Sequence, residues 1–221
     1  MLTKAVTKPT RLGIVKSKIK TLLFDLGGVL VDWDGTTPLV ELSNRRLGME
    51  QARRFWMESP SVRNFEIGKS MPEQFARGAI AELGLQTRPQ EFLSAFASWD
   101  RGPFPGTLLL LKNLKPDFTL ACLSNNNPIH WRRPELHELL AFFDRCFVSF
   151  ETGVLKPDRV AFEHVLAEMA VRPEEILFFD DNPECVETAL HMGMASCRVK
   201  GVEAVRTKLV EMELYTARSA G

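Results

Sequence analysis

At 221 residues and 45% hydrophobic composition, the chain has material for one sizeable core, or for a core with an insert. Its 28 Lys and Arg balance 28 Asp and Glu, so no overall field favours nucleic acid or an anionic membrane, and a charged ligand must be held by local groups. Apolar runs such as Leu108 to Leu111 fall far short of the ~20 residues of a membrane span, and the four cysteines, without CxxC spacing, read as reduced packing residues of a cytoplasmic protein rather than as metal ligands.

Residues 1–20 carry six Lys and Arg and no Asp or Glu, and they lack the apolar stretch of a secretory signal, so residues 1–19 read as a basic N-terminal extension. The run Thr21 to Leu30 then has strand character and delivers Asp25 onto the pair Gly27-Gly28, where the backbone is free to turn around a ligand. Residues 31–35 break the pattern and read as a connection leaving the sheet. From Pro38 to about Trp99 the periods are helical: Leu39 to Leu47, Gln51 to Met57, Pro72 to Leu83 with Phe75, Ala79, Ile80 and Leu83 on one face, and Pro89 to Trp99. The breaker-rich run Arg101 to Gly106 marks the return.

Beyond it the pattern alternates. Helices are predicted over Leu108 to Leu114, Pro134 to Phe142, Val160 to Ala170, Pro183 to Met192 and Val202 to Met212, and strands over Thr119 to Leu123, Cys146 to Phe150, Ile176 to Phe179 and Ala195 to Val199. That alternation predicts an α/β fold with a doubly wound parallel sheet, built from residues 20–35 and 106–221, into which a helical segment, residues 36–105, is inserted.

Three apolar runs end in polar residues: Asp25, Ser124-Asn125 and Asp180-Asp181-Asn182. Singly, each has a plain structural reading as a turn or helix cap. Jointly they would converge in the crevice beyond the carboxyl ends of the strands, where carboxylates repel one another unless a cation sits among them. Oxygen ligands without His or Cys suit Mg²⁺, and Ser124 and Lys156 would serve the remaining phosphate oxygens.

Phe24-Asp25-Leu26-Gly27-Gly28-Val29-Leu30, Leu123-Ser124-Asn125, Lys156-Pro157 and Phe179-Asp180-Asp181-Asn182 resemble, in order and spacing, the four motifs of the haloacid dehalogenase superfamily. The resemblance spans about residues 20 to 200, and the opening Asp-Leu-Gly-x-Val is similar to the branch that includes sugar-1-phosphate phosphatases. It implies a Rossmann-like core, with residues 36–105 as a helical cap of the C1 type. It also implies a Mg²⁺-dependent phosphatase that acts on a small phosphate ester through an aspartyl phosphate, as a monomer or homodimer. Asp25 would be the nucleophile, and Asp25, Asp180, Asp181 and the Gly27 carbonyl would hold the metal. Ser124, Asn125 and Lys156 would bind the phosphoryl group. Glu66, Gly68 and Lys69 resemble the cap loop that faces the active site, which makes Lys69 a candidate substrate contact.

One position departs from the pattern. The family's second Asp, a general acid two residues after the nucleophile, is Gly27 here. Three explanations stay open: a poor phosphatase or phosphate-binding relic, a substitute acid, or a substrate with an undemanding leaving group such as an anomeric sugar oxygen. Asp32 and Asp34 are the nearest acids in sequence, and 2-haloacid dehalogenation is the alternative chemistry for a nucleophilic Asp. His130 and Trp131 either border the pocket or pack at a helix start.

Overall fold

The computed structural model describes residues 18–216, so the basic extension falls, except for Lys18 and Ile19, outside the described residues. Five parallel strands lie in the order β5-β4-β1-β6-β7: β1 (Thr21–Phe24), β4 (Thr119–Ser124), β5 (Arg145–Val148), β6 (Ile176–Asp180) and β7 (Ala195–Arg198). The chain builds outward from β1 through β4 to β5, then crosses back to β6 on the other side of β1. The switch point of this doubly wound sheet therefore lies at β1, where such sheets open a crevice beyond their carboxyl ends.

Strand alternation explains why the sheet is covered on both faces. Leu22 and Phe24 of β1, Leu120 and Cys122 of β4, and Leu177 and Phe179 of β6 point to one face. There they meet Leu110, Leu111 and Leu114 of α6 (Thr107–Leu114), Leu136 and Leu139 of α8 (Pro134–Leu140), and Val205 and Leu209 of α12 (Val202–Glu211). Leu23, Ala121 and Phe178 point to the other face, against Phe162 and Val165 of α10 (Arg159–Met169) and Cys185 and Ala189 of α11 (Pro183–His191). Burying each of the large side chains contributes roughly 1.5–3 kcal/mol.

Between Trp33 and Asp100 runs a helical segment: α1 (Thr36–Leu42), α2 (Met49–Glu58), α3 (Pro60–Glu66), α4 (Pro72–Leu83) and α5 (Pro89–Ala97). It has its own apolar cluster, in which Phe65 and Phe75 stack at 4.5 Å between ring centres and Phe92, Phe96 and Trp99 close the packing. The residues read as connections at its two ends in fact pair: β2 (Val31–Trp33) and β3 (Asp100–Pro103) form a short antiparallel ribbon. Gly102 in the left-handed region and Pro103 disguise β3, because both suit an edge better than a sheet interior.

Other boundaries also differ from the sequence expectation. The first helix stops at Leu42 because Asn44 and Arg45 adopt positive φ, at 53° and 59°. The short helix α3 follows Ser59, whose hydroxyl accepts from the Val62 amide at 3.2 Å, with Pro60 in the first turn. Strand β5 ends at Val148, and Ser149 and Phe150 belong to the helical turn α9 (Ser149–Thr152). A further short helix, α7 (Pro128–Trp131), is capped by Asn127, which accepts from the Ile129 and His130 amides. Among the described residues no helix is long and apolar enough to cross a membrane.

Candidate active site

The parallel register brings the polar strand ends together. Phe24 pairs with Phe179 of β6, so Asp25 and Asp180 stand side by side one residue further on, and the Asp25 amide continues the ladder to the Phe179 carbonyl at 2.8 Å. Oxygens of Asp25, Asp180 and Asp181 lie within 4.8 Å of one another. Asp180 is buried at 1% exposure, a position no carboxylate occupies without partners. One of its oxygens accepts from the Asn182 amide at 2.8 Å and the other from the Lys156 ammonium at 2.6 Å. Asn182 also caps α11 through the Glu184 amide at 2.9 Å, so the plain capping role holds for Asn182 while the two aspartates face the crevice.

Part of the acidic repulsion is relieved by the chain itself. The buried Lys156 Nζ lies 2.9 Å from Asp25 Oδ1 as well as 2.6 Å from Asp180 Oδ2. Burial alone would pull this ammonium down, but the charges of Asp180 and Asp25 outweigh it and hold it above the ordinary lysine value. For Asp25 burial dominates: despite Lys156, and with the charge of Asp180 adding to the effect, its carboxyl is pushed up to about 7. Burial and Asp180 likewise raise Asp181. Three oxygen donors with one ammonium leave a net deficit of positive charge and offer no nitrogen or sulfur ligand, a donor set that fits a hard divalent cation such as Mg²⁺.

The Asn125 side chain has a structural task that the sequence did not show. Its Oδ1 accepts from the Lys156 amide at 2.8 Å and its Nδ2 donates to the Lys156 carbonyl at 2.8 Å, so its amide is committed to holding the lysine loop. Ser124 is buried at the end of β4, level with Val148 of β5. Lys69 is exposed on the loop after α3 and carries no ion pair among the described residues. Gly27 forms a bridge to Val31, and a Cβ there would meet only Trp33, at 3.8 Å.

Neither acid nearest in sequence is available to replace the family's second Asp. Asp32 accepts from Arg101 Nε and Nη2, each at 2.9 Å. Asp34 Oδ1 accepts from the Thr36 and Thr37 amides at 2.9 and 3.0 Å, bonds that outweigh its partial burial and lower its carboxyl. His130 proves to be a strut: its Nε2 lies 2.8 Å from the Phe96 carbonyl at the end of α5, its Nδ1 3.2 Å from Asn127 Nδ2, and burial lowers its basicity. Arg133 donates alongside it to the carbonyls of Ala97 and Asp100, so two cationic or polar side chains of the core grip the end of the insert.

Sequence reasoning credited Gly28 only with freedom to turn. Its φ is +74°, and a Cβ would come within 2.7 Å of Asp181 Oδ2, so the backbone must pass close under the carboxylate. Gly28→Ala is expected to cost about 1–3 kcal/mol through the strained backbone and to displace Asp181, which thermal melts and a Mg²⁺ titration would read together. Wild-type metal affinity in that variant would refute the close-approach argument.

A model of the haloacid dehalogenase-like hydrolase family matches residues 19–193. The sesquiterpene phosphatase astK of Aspergillus oryzae is 31% identical over 183 residues, 79% of this chain and 87% of that protein. The D-ribitol-5-phosphate phosphatase of Bacteroides thetaiotaomicron is 26% identical over 187 residues, 79% of this chain and 89% of that protein. A HAD-family enzyme of the same bacterium, solved with magnesium and inorganic phosphate, superimposes with a TM-score of 0.67 at 25% identity, covering 82% of this chain and 94% of that one. With the family match extending over the strand ends that carry Asp25, Ser124 and Asp180 and over the loop that carries Lys156, the chain belongs to the haloacid dehalogenase-like hydrolases.

Proposed function

We propose that this hydrolase is a Mg²⁺-dependent phosphatase of a small phosphorylated metabolite, with Asp25 as nucleophile. The observation that carries the reading is the group of carboxylates from two strand ends, oxygens within 4.8 Å, with Lys156 among them. Asp25, Asp180, Asp181 and the Gly27 carbonyl are the residues proposed to hold the ion. When bound, it would offset the charge of the phosphoryl oxygens and favour the ionised form of Asp25.

In the proposed reaction an Asp25 oxygen attacks phosphorus, the bond to the ester oxygen breaks, and the departing oxygen takes a proton. Water then attacks the aspartyl phosphate, phosphate leaves and the carboxylate returns. A carboxylate is a weak nucleophile toward an anion, so Lys156 and Ser124 have to bind and orient the phosphoryl group and cancel the repulsion, which is where most of the rate gain of phosphoryl transfer arises. Asn125 acts one step back, fixing the lysine loop. Residues 36–105 act as the cap that excludes water, and Lys69 on its loop meets the substrate's far end.

Phosphate release from a panel containing sugar 1-phosphates, ribitol 5-phosphate and a sesquiterpene phosphate, with and without Mg²⁺, tests the reading and selects the substrate class. Release confined to samples with Mg²⁺ is the expected result. Metal-independent chloride release from 2-chloropropionate would point instead to dehalogenation, and tight phosphate binding without turnover to a non-catalytic role; either outcome would overturn the proposal.

A further inference from the structure

Position 27 is glycine, and the two nearest acids in sequence, Asp32 and Asp34, are engaged by Arg101 and by the Thr36 and Thr37 amides, so the proton for the leaving oxygen has to come from elsewhere. The helical segment supplies a carboxyl. Glu66 closes α3, and the chain on either side of it is anchored to the core around Lys156. Three residues earlier, Arg63 pairs at 3.0 Å with Asp158, two residues past Lys156. Two residues later, Gly68, at φ +72°, lies so close under the Phe150 carbonyl of α9 that a Cβ would collide with it. Between these anchors the Glu66 carboxyl is half-buried, and among the described residues it has neither a hydrogen bond nor an ion pair. The charges it does sense are those of Asp25 and Lys156.

From this placement we propose that Glu66, delivered by the cap, takes the role of the missing second aspartate. As Asp25 forms its bond to phosphorus, Glu66 gives its proton to the departing ester oxygen, which leaves as the alcohol. The resulting Glu66 carboxylate takes a proton from the water that attacks the aspartyl phosphate, and the acid is restored. Burial, and then the charge of Asp25, push this carboxyl up to about 8 against the pull of Lys156, which is the direction a proton donor needs. With neither hydrogen bond nor ion pair among the described residues, the half-buried carboxyl is left free to meet a ligand.

The inference rests on the phosphatase reading, and leaving-group dependence separates the two. In Glu66→Gln, kcat/KM for an alkyl phosphate is expected to fall about 10²–10⁴-fold, while that for p-nitrophenyl phosphate, whose leaving group needs no proton, falls less than about tenfold. On the aryl ester the aspartyl phosphate should accumulate, visible by intact mass, because the water step has lost its base. Glu66→Asp should recover part of the alkyl-phosphate activity. Equal losses on both esters, or no loss, would overturn the inference. Should the glutamine variant fold poorly, the wild type decides alone: kcat/KM across aryl phosphates should depend only weakly on leaving-group basicity, and a steep dependence overturns the role of Glu66. A wild type inert toward every ester with Mg²⁺ present sinks the phosphatase reading itself.

Discussion

Replacing Asp25 with asparagine is expected to lower turnover by roughly 10⁴-fold or more, a barrier increase of about 5 kcal/mol or above, because the variant lacks the proposed nucleophile. The same change should not weaken the fold in the absence of metal. Burial, which outweighs the pull of Lys156, raises this carboxyl from 3.8 to about 7 in the folded protein. The sign follows from linkage: the folded state binds the proton more tightly than the unfolded chain, so the stability associated with this group is complete below about pH 4 and is lost as the pH rises toward 7. Asparagine cannot ionise and avoids that loss. Metal-free Asp25→Asn should therefore melt at least as high as the metal-free wild type at pH 8, with the advantage shrinking at pH 5. Added Mg²⁺ should raise the wild-type midpoint by mass action and the variant's less. A variant that retains more than about 1% of activity, or that melts well below the wild type at pH 8 without metal, would refute the argument.

The core was legible because its two periods do not overlap. Leu22-Leu23-Phe24 and Ile176-Leu177-Phe178-Phe179 are continuous apolar runs of strand length, as parallel strands covered on both faces must be, and the segments between them repeat at helical spacing. Where local preference conflicted with tertiary pairing, the reading failed. Gly102 and Pro103 are poor strand formers, and β3 exists only because Val31 to Trp33 lie alongside it. Ser149 and Phe150 look like a continuation of β5, yet Ser149 turns to exchange hydrogen bonds with the Asn126 backbone, at 3.0 and 3.1 Å.

The site divides the same way. Asp25 and Asp180 could be singled out because an acid at the end of an apolar strand has no use in a core, and a sheet topology then forces such ends together; Lys156, on a loop, stood out only as a counter-charge beside them. What the Asn125 side chain does could not be read, since it can face a ligand or a loop 31 residues away in sequence, and only the fold shows it bonded to Lys156. Glu66 was visible only as part of a loop pattern. Its relation to Asp25 depends on how α3 lies across the lysine loop, which is fixed by Arg63, Asp158 and the absence of a side chain at Gly68.

Lys156 should be the position where activity and stability fall together. Its ammonium is the shared partner of two carboxylates, one of them, Asp180, almost wholly buried. Lys156→Met keeps much of the volume and removes the charge, leaving Asp25 and Asp180 facing each other in a dry site. Removing one partner of a buried ion pair typically costs 3–5 kcal/mol, because the stranded charge has no solvent to turn to. That loss should be largest above pH 7 and smaller at pH 5, where a carboxyl can take up a proton. Mg²⁺ should restore part of it, since a divalent cation can stand in electrostatically for the ammonium, although it cannot orient the phosphoryl group as proposed for Lys156, and turnover should stay lost. Combining the change with Asp25→Asn should be less destabilising than the two single effects added, with a coupling on the order of 1–3 kcal/mol in the favourable direction. Urea melts of the four proteins at pH 5 and pH 8 complete this cycle. Strict additivity, or a Lys156→Met protein as stable as the wild type at pH 8, would mean that the lysine is not what permits these acids to share one crevice.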